Sequence, residues 1–509
     1  MKTLAHLAGC LLHVEVRGPQ NRPVTGICYH SSRVRPGDLF VCLPGTRSHG
    51  RQYVAEAVAA GASAVVTDIP GLDAGKATVL QVPDTRLALA LLSACYYDYP
   101  SRELVLVGVT GTNGKTTTTH LIDALLQAKG AATGLIGTVA YRVRGRSYPS
   151  AATTPEASDL QFLLRKMVDE RVTYVTMEVS SHALAWHRTI GCDFDTVVLT
   201  NITEDHLDFH RTFEHYFSSK SKLFAWLGSM PVKGGRLRRA VINGDDSHCR
   251  QLVDLTPAEY LLYGLSSHCH VRASDIRVTR EGVRYRLDTP AGGLTLQLRM
   301  TGLFSVYNSL AAVSVALLEG MDLARIRTVL EEYPGVPGRF EIIDAGQEFT
   351  VIVDYAHTPD GLENTLRAIR EFADKRVITV FGCGGERDRS KRPLMGEAAG
   401  IYSDFCIVTS DNPRREDEWQ IIAEILPGLK KVKGRNAYLI LPDRREAITV
   451  ALQMAEKGDV VLIAGKGHET EQVFRDYAVP FDDRQIVREW LQRRRDDNGN
   501  GLQGGGGGR

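Results

Sequence analysis

The sequence predicts an α/β protein of three domains: a small N-terminal α/β unit (1–101), a central domain on a parallel sheet (102–335), and a C-terminal doubly wound domain of Rossmann type (336–493). A glycine-rich tail (494–509) follows. Three observations predict this. The 509 residues exceed what one core organises, at roughly 100 to 200 residues per domain. Short apolar runs rich in Val and Ile alternate with helical stretches, the pattern of parallel strands covered by helices. Hydrophobic residues at 43% and charged residues at 24% match ordinary globular chains, so disordered and fibrous classes are excluded.

Each element follows in order. The opening MKTLAHLAGCLLHVEVRG has one lysine and a short apolar run, but His6 and His13 interrupt it and no small-residue cleavage site follows, so it reads as part of the first domain rather than a signal peptide. No later run approaches the roughly 20 apolar residues that span a bilayer. Strands are expected at 39–43 and 64–67, with a helix at 53–60. From Leu104 the units lengthen: strand LVLVGV, a glycine loop, a helix to Lys129, then strands at 174–177 and 196–200. Thr154 can cap a helix that Pro155 and Glu156 begin. The segment YPGVPGRFE (333–341) has the composition of a hinge. Beyond it come strand FTVIVD, a helix from Asp360, strand RVITVFG, a helix near Leu394, and strands FCIVTS and DVVLIAG. The glycines after Arg493 cannot offset the entropy cost of ordering, and no repeat of solenoid length is present.

Charge and cysteine usage narrow the class. Lys plus Arg is 61 and Asp plus Glu 60, so there is no overall basic field for nucleic acid. An anionic ligand needs a local pocket. The nine cysteines show no C-x-x-C spacing and read as reduced, mostly buried thiols of a cytosolic protein.

One motif carries chemistry by itself. Strand LVLVGV runs into TGTNGKTTTT (110–119) and then into an apolar-faced helix. Gly111 and Gly114 let the backbone N–H groups of Thr112, Asn113 and Thr117 curl around phosphate oxygens, Lys115 supplies a point charge, and the Thr116 hydroxyl can reach Mg²⁺. ATP is the natural ligand. Val109 stands where the strict Walker pattern has glycine; the competing reading is a tight turn with an exposed lysine. Glu178 ends one strand and His206 follows another, so a carboxylate and an imidazole at adjacent strand ends could complete the coordination of Mg²⁺. A lone His is more often a surface or capping group.

The strings TGTNGKTTT, TTPE, MEVSSHAL, DHLDFH, YNSLAA, DYAHTPDGL, GCGGERD, DNPR and GKGHE occur in the order seen in the Mur ligase family, and the chain resembles its UDP-muramoyl-tripeptide synthetases. The G-T-x-G-K-T form of the loop is shared with folylpolyglutamate synthetases. By this resemblance Lys115, Glu178, His206 and Lys220 are catalytic, and Thr116, Glu178, His206 and a CO₂-derived carbamate on Lys220 hold the metal. A carbamate suits a site where a free ammonium would be repelled by Mg²⁺; without the family, Lys220 is a solvated helix lysine. Asn308, Arg339 and Asp354 match adenine, phosphate and ribose contacts. Ser32 matches the uridine-nucleotide domain, although physics alone reads its surroundings as a turn at Pro36-Gly37. Thr153, Thr154, Ser180 and Arg188 match residues that hold the UDP-muramoyl dipeptide. Trp186 stands where some members have glutamine.

The acceptor is expected at two strand ends. Asp411, Asn412, Pro413 and Arg414 follow one strand, and Gly465 to Glu469 follow another. Meso-diaminopimelate carries a distal carboxylate and ammonium, which Arg414 and Glu469 can take, with Arg387 assisting. A lysine-adding relative has no distal carboxylate to bind. The resemblance therefore implies a cytoplasmic, monomeric ligase, with ATP as co-substrate, the UDP-muramoyl dipeptide and meso-diaminopimelate as its other small-molecule substrates, and neither nucleic acid nor membrane as partner. The rivals are a sibling ligase (lysine-adding or folylpolyglutamate synthetase), a P-loop NTPase without ligation, and a nucleotide-binding scaffold.

Overall fold

A computed structural model describes residues 2–45, 49–228 and 233–501. It falls into two compact units, Met1–Arg272 with Leu310–Ile326, and Ala273–Ser309 with Arg327–Arg509.

Besides a two-stranded pair, Lys2–Thr3 with Pro23–Val24, the first unit carries two larger sheets. The smaller has five strands in the order Glu15–Arg17, Thr78–Gln81, Ala64–Thr67, Leu39–Val41, Ile27–Cys28, parallel except for the first. Its inner strands Leu39–Val41 and Ala64–Thr67 are mostly apolar because both faces are covered: Val41, Ala64 and Val66 enter one core cluster, and Phe40 and Val65 the other. In the larger sheet the six strands Thr133–Ile136, Tyr174–Glu178, Val105–Thr110, Thr196–Leu199, Arg239–Asn243 and Glu259–Gly264 run parallel in that order. Val105–Thr110 comes first in the chain yet lies inside, so the crossovers leave it in opposite directions. That reversal opens a crevice at the carboxyl ends.

The second unit carries an antiparallel hairpin, Gly282–Thr289 with Gly292–Leu298, and a six-stranded sheet. The order is Glu341–Ile343, Thr350–Asp354, Val460–Ala464, Val377–Phe381, Phe405–Val408, Tyr438–Ile440, parallel except at the first strand. The period of two splits each strand between faces: Ile352 packs into one cluster and Val351 and Val353 into the other. Helix Pro359–Arg370 starts as its sequence dictates, with Thr358 capping Gly361 N and proline in the first turn.

Three expectations are corrected. Helix Ala157–Asp169 is capped by Glu156, not Thr154; Thr154 is buried and its hydroxyl is drawn to the neighbouring strand end, where stronger partners wait. Cys10 and Cys95 form a disulfide with Cα atoms 6.6 Å apart, while the other seven cysteines are free thiols. Folding brings together residues 85 positions apart, which no local spacing reveals. Helix Asp483–Gly501 runs into the segment expected as a tail: Ile486, Val487 and Leu491 anchor its first turns in the core, and extending a nucleated helix costs little. The rest of the tail, 502–509, lies outside the described residues. Among the described residues no helix is long and apolar enough to cross a membrane.

Candidate functional site

At the mouth of the larger sheet, strand Val105–Thr110 turns through Gly111 (φ 148°) and Gly114 (φ 83°) into helix Lys115–Ala128. A side chain at 111 would strike Thr200 Oγ1, so only glycine lets the loop close on its neighbouring strand. The loop is held by Asn201, whose carbonyl accepts from Thr112 N (2.8 Å) and whose side chain accepts from Asn113 N (3.0 Å). Thr112 Oγ1 lies 2.8 Å from Tyr216 OH. Lys115 folds back to donate to Gly111 O (2.9 Å) and Thr112 O (2.7 Å). Thr117 follows Thr116 in the first helical turn.

Thr116 and Glu178 meet. Thr116 Oγ1 donates to Glu178 Oε2 at 2.9 Å, and Thr138 donates to both carboxylate oxygens, from N (2.8 Å) and Oγ1 (3.0 Å). Glu178 is buried and every visible partner is a neutral donor that fixes the carboxylate's direction. The strands leading to Glu178 and His206, expected to be adjacent, instead flank the phosphate-loop strand. The loop strand is the first laid down, and the crossovers place a strand on each side of it. His206 sits at left-handed φ 55°, its side chain 40% exposed, 3.4 Å from Asp205, with its ring 4.7 Å from that of His182.

Lys220 differs most from its bland reading. It is 2% exposed on helix Phe213–Ala225 and donates to Gly111 O at 2.7 Å. Burial, with the Lys115 ammonium close by, holds its amine well below the ordinary lysine range. Nearby His210 is fully buried, and burial pushes its imidazole down to about 4, so it stays neutral.

Beside this loop lies a polar ladder. Thr153 Oγ1 is 3.0 Å from Thr138 Oγ1. Thr154 Oγ1 donates to Glu178 O (2.8 Å) and accepts from Ser180 N (3.0 Å). Ser180 caps helix Ser181–Ala185. Arg188 donates to Thr154 O (3.0 Å) and Glu156 Oε2 (3.1 Å) and stacks on Trp186 at 5.0 Å. Sequence reasoning missed Arg86, whose guanidinium covers Trp186 at 4.5 Å and approaches Glu156 at 3.7 Å; an isolated arginine gives no signal. Trp186 thus serves as a platform between two arginines. Ser32 stands apart from this ladder, in the turn Ser31–Arg33, exposed, 3.0 Å from His30 Nδ1.

In the second unit the loops after Phe405–Val408 and Val460–Ala464 converge. Asn412 Nδ2 donates to Glu469 Oε2 at 2.8 Å. Between them lies Lys466, fully buried, donating to Asn412 Oδ1 (3.0 Å), Glu469 Oε2 (2.9 Å) and Glu471 O (2.6 Å). It was visible in GKGHE, yet nothing in the spelling says that its ammonium turns inward. Arg414, at φ 54°, donates to Gly385 O at 2.7 Å; burial, then the like charge of Arg387, lowers its pKa while Asp411 and Glu469 oppose. Burial raises the Asp411 carboxyl, whereas Lys466 and Asn412 outweigh burial and lower that of Glu469. Pro413 joins Asn412 to Arg414. Gly465 N donates to Asp354 O (3.0 Å).

The remaining expected residues share this unit. Arg339 stacks on Tyr355 at 4.5 Å; burial pushes that phenol up to about 12. Asp354 accepts from Phe340 N (2.7 Å) and Thr365 Oγ1 (3.0 Å), tying the 333–341 segment to helix Pro359–Arg370. Asn308 is buried inside helix Leu303–Leu318. Gly338 (φ 66°) and Gly467 (φ 53°) touch backbone to backbone, and a side chain at either would overlap the other loop.

Comparison with known proteins is extensive. Three family models match: Mur ligase family, catalytic domain (23–97); Mur ligase middle domain (109–316); and Mur ligase, glutamate ligase domain (338–467). The UDP-N-acetylmuramoyl-L-alanyl-D-glutamate--2,6-diaminopimelate ligase of Syntrophomonas wolfei is 47% identical, the alignment covering 93% of this chain and 96% of that one. The enzyme of that name from Geobacillus thermodenitrificans is 46% identical, over 97% and 99%. Among solved structures, one titled as a ligase of the same name superposes with TM-score 0.66 at 32% identity, over 94% and 97%. Folylpolyglutamate synthase of Mycobacterium tuberculosis shares the fold at TM-score 0.63 and 16% identity, over 80% and 95%.

Proposed function

The chain belongs to the Mur ligase family, and from that premise we propose that it is an ATP-dependent ligase that adds meso-diaminopimelate to UDP-N-acetylmuramoyl-L-alanyl-D-glutamate. It works in the cytoplasm as a monomer, with small-molecule substrates and without nucleic acid or membrane partners. The observation that carries the ligase reading is the buried Lys220 amine at Gly111 O beside the Thr116–Glu178 pair. A hydrolase acting on water has no evident use for a sequestered lysine there.

The carboxylate of the D-glutamyl residue is a poor electrophile, so it must first be activated. Its oxygen attacks the ATP γ-phosphorus, ADP leaves, and an acyl phosphate forms. The amine of meso-diaminopimelate then attacks the acyl carbon, loses a proton, and phosphate departs with the carboxylate's oxygen. Backbone N–H groups from Gly111 to Thr117 and the Lys115 ammonium offset charge on the transferred phosphoryl group. The donor set of Thr116, Glu178 and His206, a hydroxyl, a carboxylate and an imidazole, fits Mg²⁺, which when bound neutralises phosphate charge. A neutral Lys220 amine can add to CO₂ and release a proton, and the resulting carbamate suits a cation where an ammonium does not. Asn308, Arg339 and Asp354 serve adenine, phosphate and ribose; Asp354 has acceptor sites beyond the two its protein partners use. Ser32, Thr153, Thr154, Ser180 and Arg188 hold the UDP-muramoyl dipeptide.

Arg414 supports the acceptor assignment. An arginine crowded by Arg387 and offset by Asp411 and Glu469 suits a ligand with both a carboxylate and an ammonium. Gly465, Asn412, Pro413 and Lys466 set the positions of Glu469 and Arg414. The mechanism is tested with dipeptide labelled with ¹⁸O in the D-glutamyl γ-carboxyl: one labelled oxygen is expected in each phosphate released. Unlabelled phosphate contradicts the acyl-phosphate route.

A further inference from the structure

We propose that His6, Cys10 and Cys95 form, in the reduced protein, a binding site for a soft divalent cation such as Zn²⁺. An imidazole nitrogen and two sulfurs lie within 4.8 Å of one another. Among the described residues no other group of three His, Cys, Asp or Glu side chains converges in this way. His6 lies in helix Leu4–Ala8 and Cys10 just beyond it, where Cys10 N still donates to Leu7 O at 3.0 Å. Positions four apart share a helix face. Cys95 reaches the same point from helix Thr85–Tyr96.

The donor chemistry and the surroundings both fit. Thiolate and imidazole are the ligands of tetrahedral zinc sites, with metal–ligand distances of about 2.0 to 2.3 Å, which place ligand atoms about 3.3 to 3.8 Å apart. The imidazole nitrogen and both sulfurs already lie within 4.8 Å of one another, and reduction frees the two sulfurs to part to that spacing. Cys95 is 1% exposed in a core cluster with Leu4, Leu7 and Leu92, so apolar packing backs the site. His6 is exposed, and the fourth coordination position faces water. Lys2 donates to the Cys95 carbonyl and pairs with Asp98, which fixes the end of the helix that carries Cys95.

The disulfide is the oxidised form of the same site, and the two states exclude each other. Oxidation transfers two electrons and two protons from the two thiols to a low-molecular-weight disulfide such as oxidised glutathione. That reagent leaves as two thiols, while the Cys10–Cys95 bond forms. Reduction returns both sulfurs as ligands. Either state clamps the first helix to helix Thr85–Tyr96.

Cobalt(II) titration of the full chain, reduced and desalted, tests the proposal. One equivalent is expected to bind with a thiolate-to-cobalt charge-transfer band, which oxygen ligands at the phosphate loop do not produce. C10S and C95S lose the band, H6A binds more weakly, and Zn²⁺ displaces the cobalt. The wild-type chain oxidised with glutathione disulfide also loses the band, a control free of any folding defect. No band in the reduced wild type, or a band that survives C10S, C95S or oxidation, overturns the site.

Discussion

Lys220 concentrates the residue-scale argument. A buried amine whose protonation is disfavoured by desolvation and by Lys115 is a better nucleophile toward CO₂ than an exposed lysine, which stays charged. With ¹³C-bicarbonate the wild type is expected to show one carbamate resonance that K220R lacks, and K220R should lose at least about 100-fold in turnover. Identical spectra would refute the modification. Lys466 makes a different case, because its three acceptors hold Glu469 and Asn412 in register. Removing one partner of a buried charged pair strands the other, so K466M is expected to cost about 2 to 4 kcal/mol in urea denaturation. It should also raise KM for diaminopimelate but not for ATP; unchanged stability and KM would contradict the positioning role. The two lysines differ in how they could be read. The sequence points to Lys220 only through its family, since nothing in EHYFSSKSKLF says which lysine turns inward. Lys466 is spelled out in GKGHE, but its inward turn depends on Asn412, 54 residues earlier. Trp186 and Arg86 meet only after two distant helices pack.

Elements were far more legible than contacts. Every strand expected at 39–43, 64–67, 174–177 and 196–200, and those of FTVIVD, RVITVFG, FCIVTS and DVVLIAG, has a counterpart, because strands buried on both faces spell continuous apolar runs. Thr154 misled because a threonine before Pro-Glu satisfies the cap pattern locally, while Glu178 O and Ser180 N compete for it across the sheet. Helices Lys391–Tyr402 and Glu418–Val432 illustrate a tie invisible to pattern. Arg392, 1% exposed, donates to Glu416 (3.0 Å) and Glu424 (2.8 Å). The Glu416 carboxyl, held first by Arg392 and also by Arg389, is lowered from 4.5 to about 2. A folded-state pKa below the unfolded one gives stability that is complete above pH about 4.5 and lost as pH falls through about 2. The urea midpoint of the wild type should therefore fall across that window, and E416Q should flatten the fall. Parallel titration curves would remove Glu416 from the account.

For the molecule as a whole, length and alternation foretold α/β domains, and the order of short motifs foretold the family. Helix Leu303–Leu318 is divided between the two compact units at Ser309 and Leu310, a point that no Pro or Gly marks in the sequence. The near balance of 61 basic and 60 acidic residues argues against a nucleic-acid field, and the proposed anionic substrates would instead meet local devices: a glycine turn with Lys115 in one unit, and Arg414 with Arg387 in the other. Acceptor choice is where these features make their sharpest demand, since the role proposed for Arg414 requires an incoming amino acid with a second carboxylate. Phosphate release measured with ATP and the UDP-muramoyl dipeptide, with meso-diaminopimelate or L-lysine as the amine, tests this most directly. The account predicts release that requires the dipeptide and meso-diaminopimelate and is at least about 10-fold slower with lysine, the cost of one charge-assisted contact. Equal or faster release with lysine, or release without any amine, would contradict it.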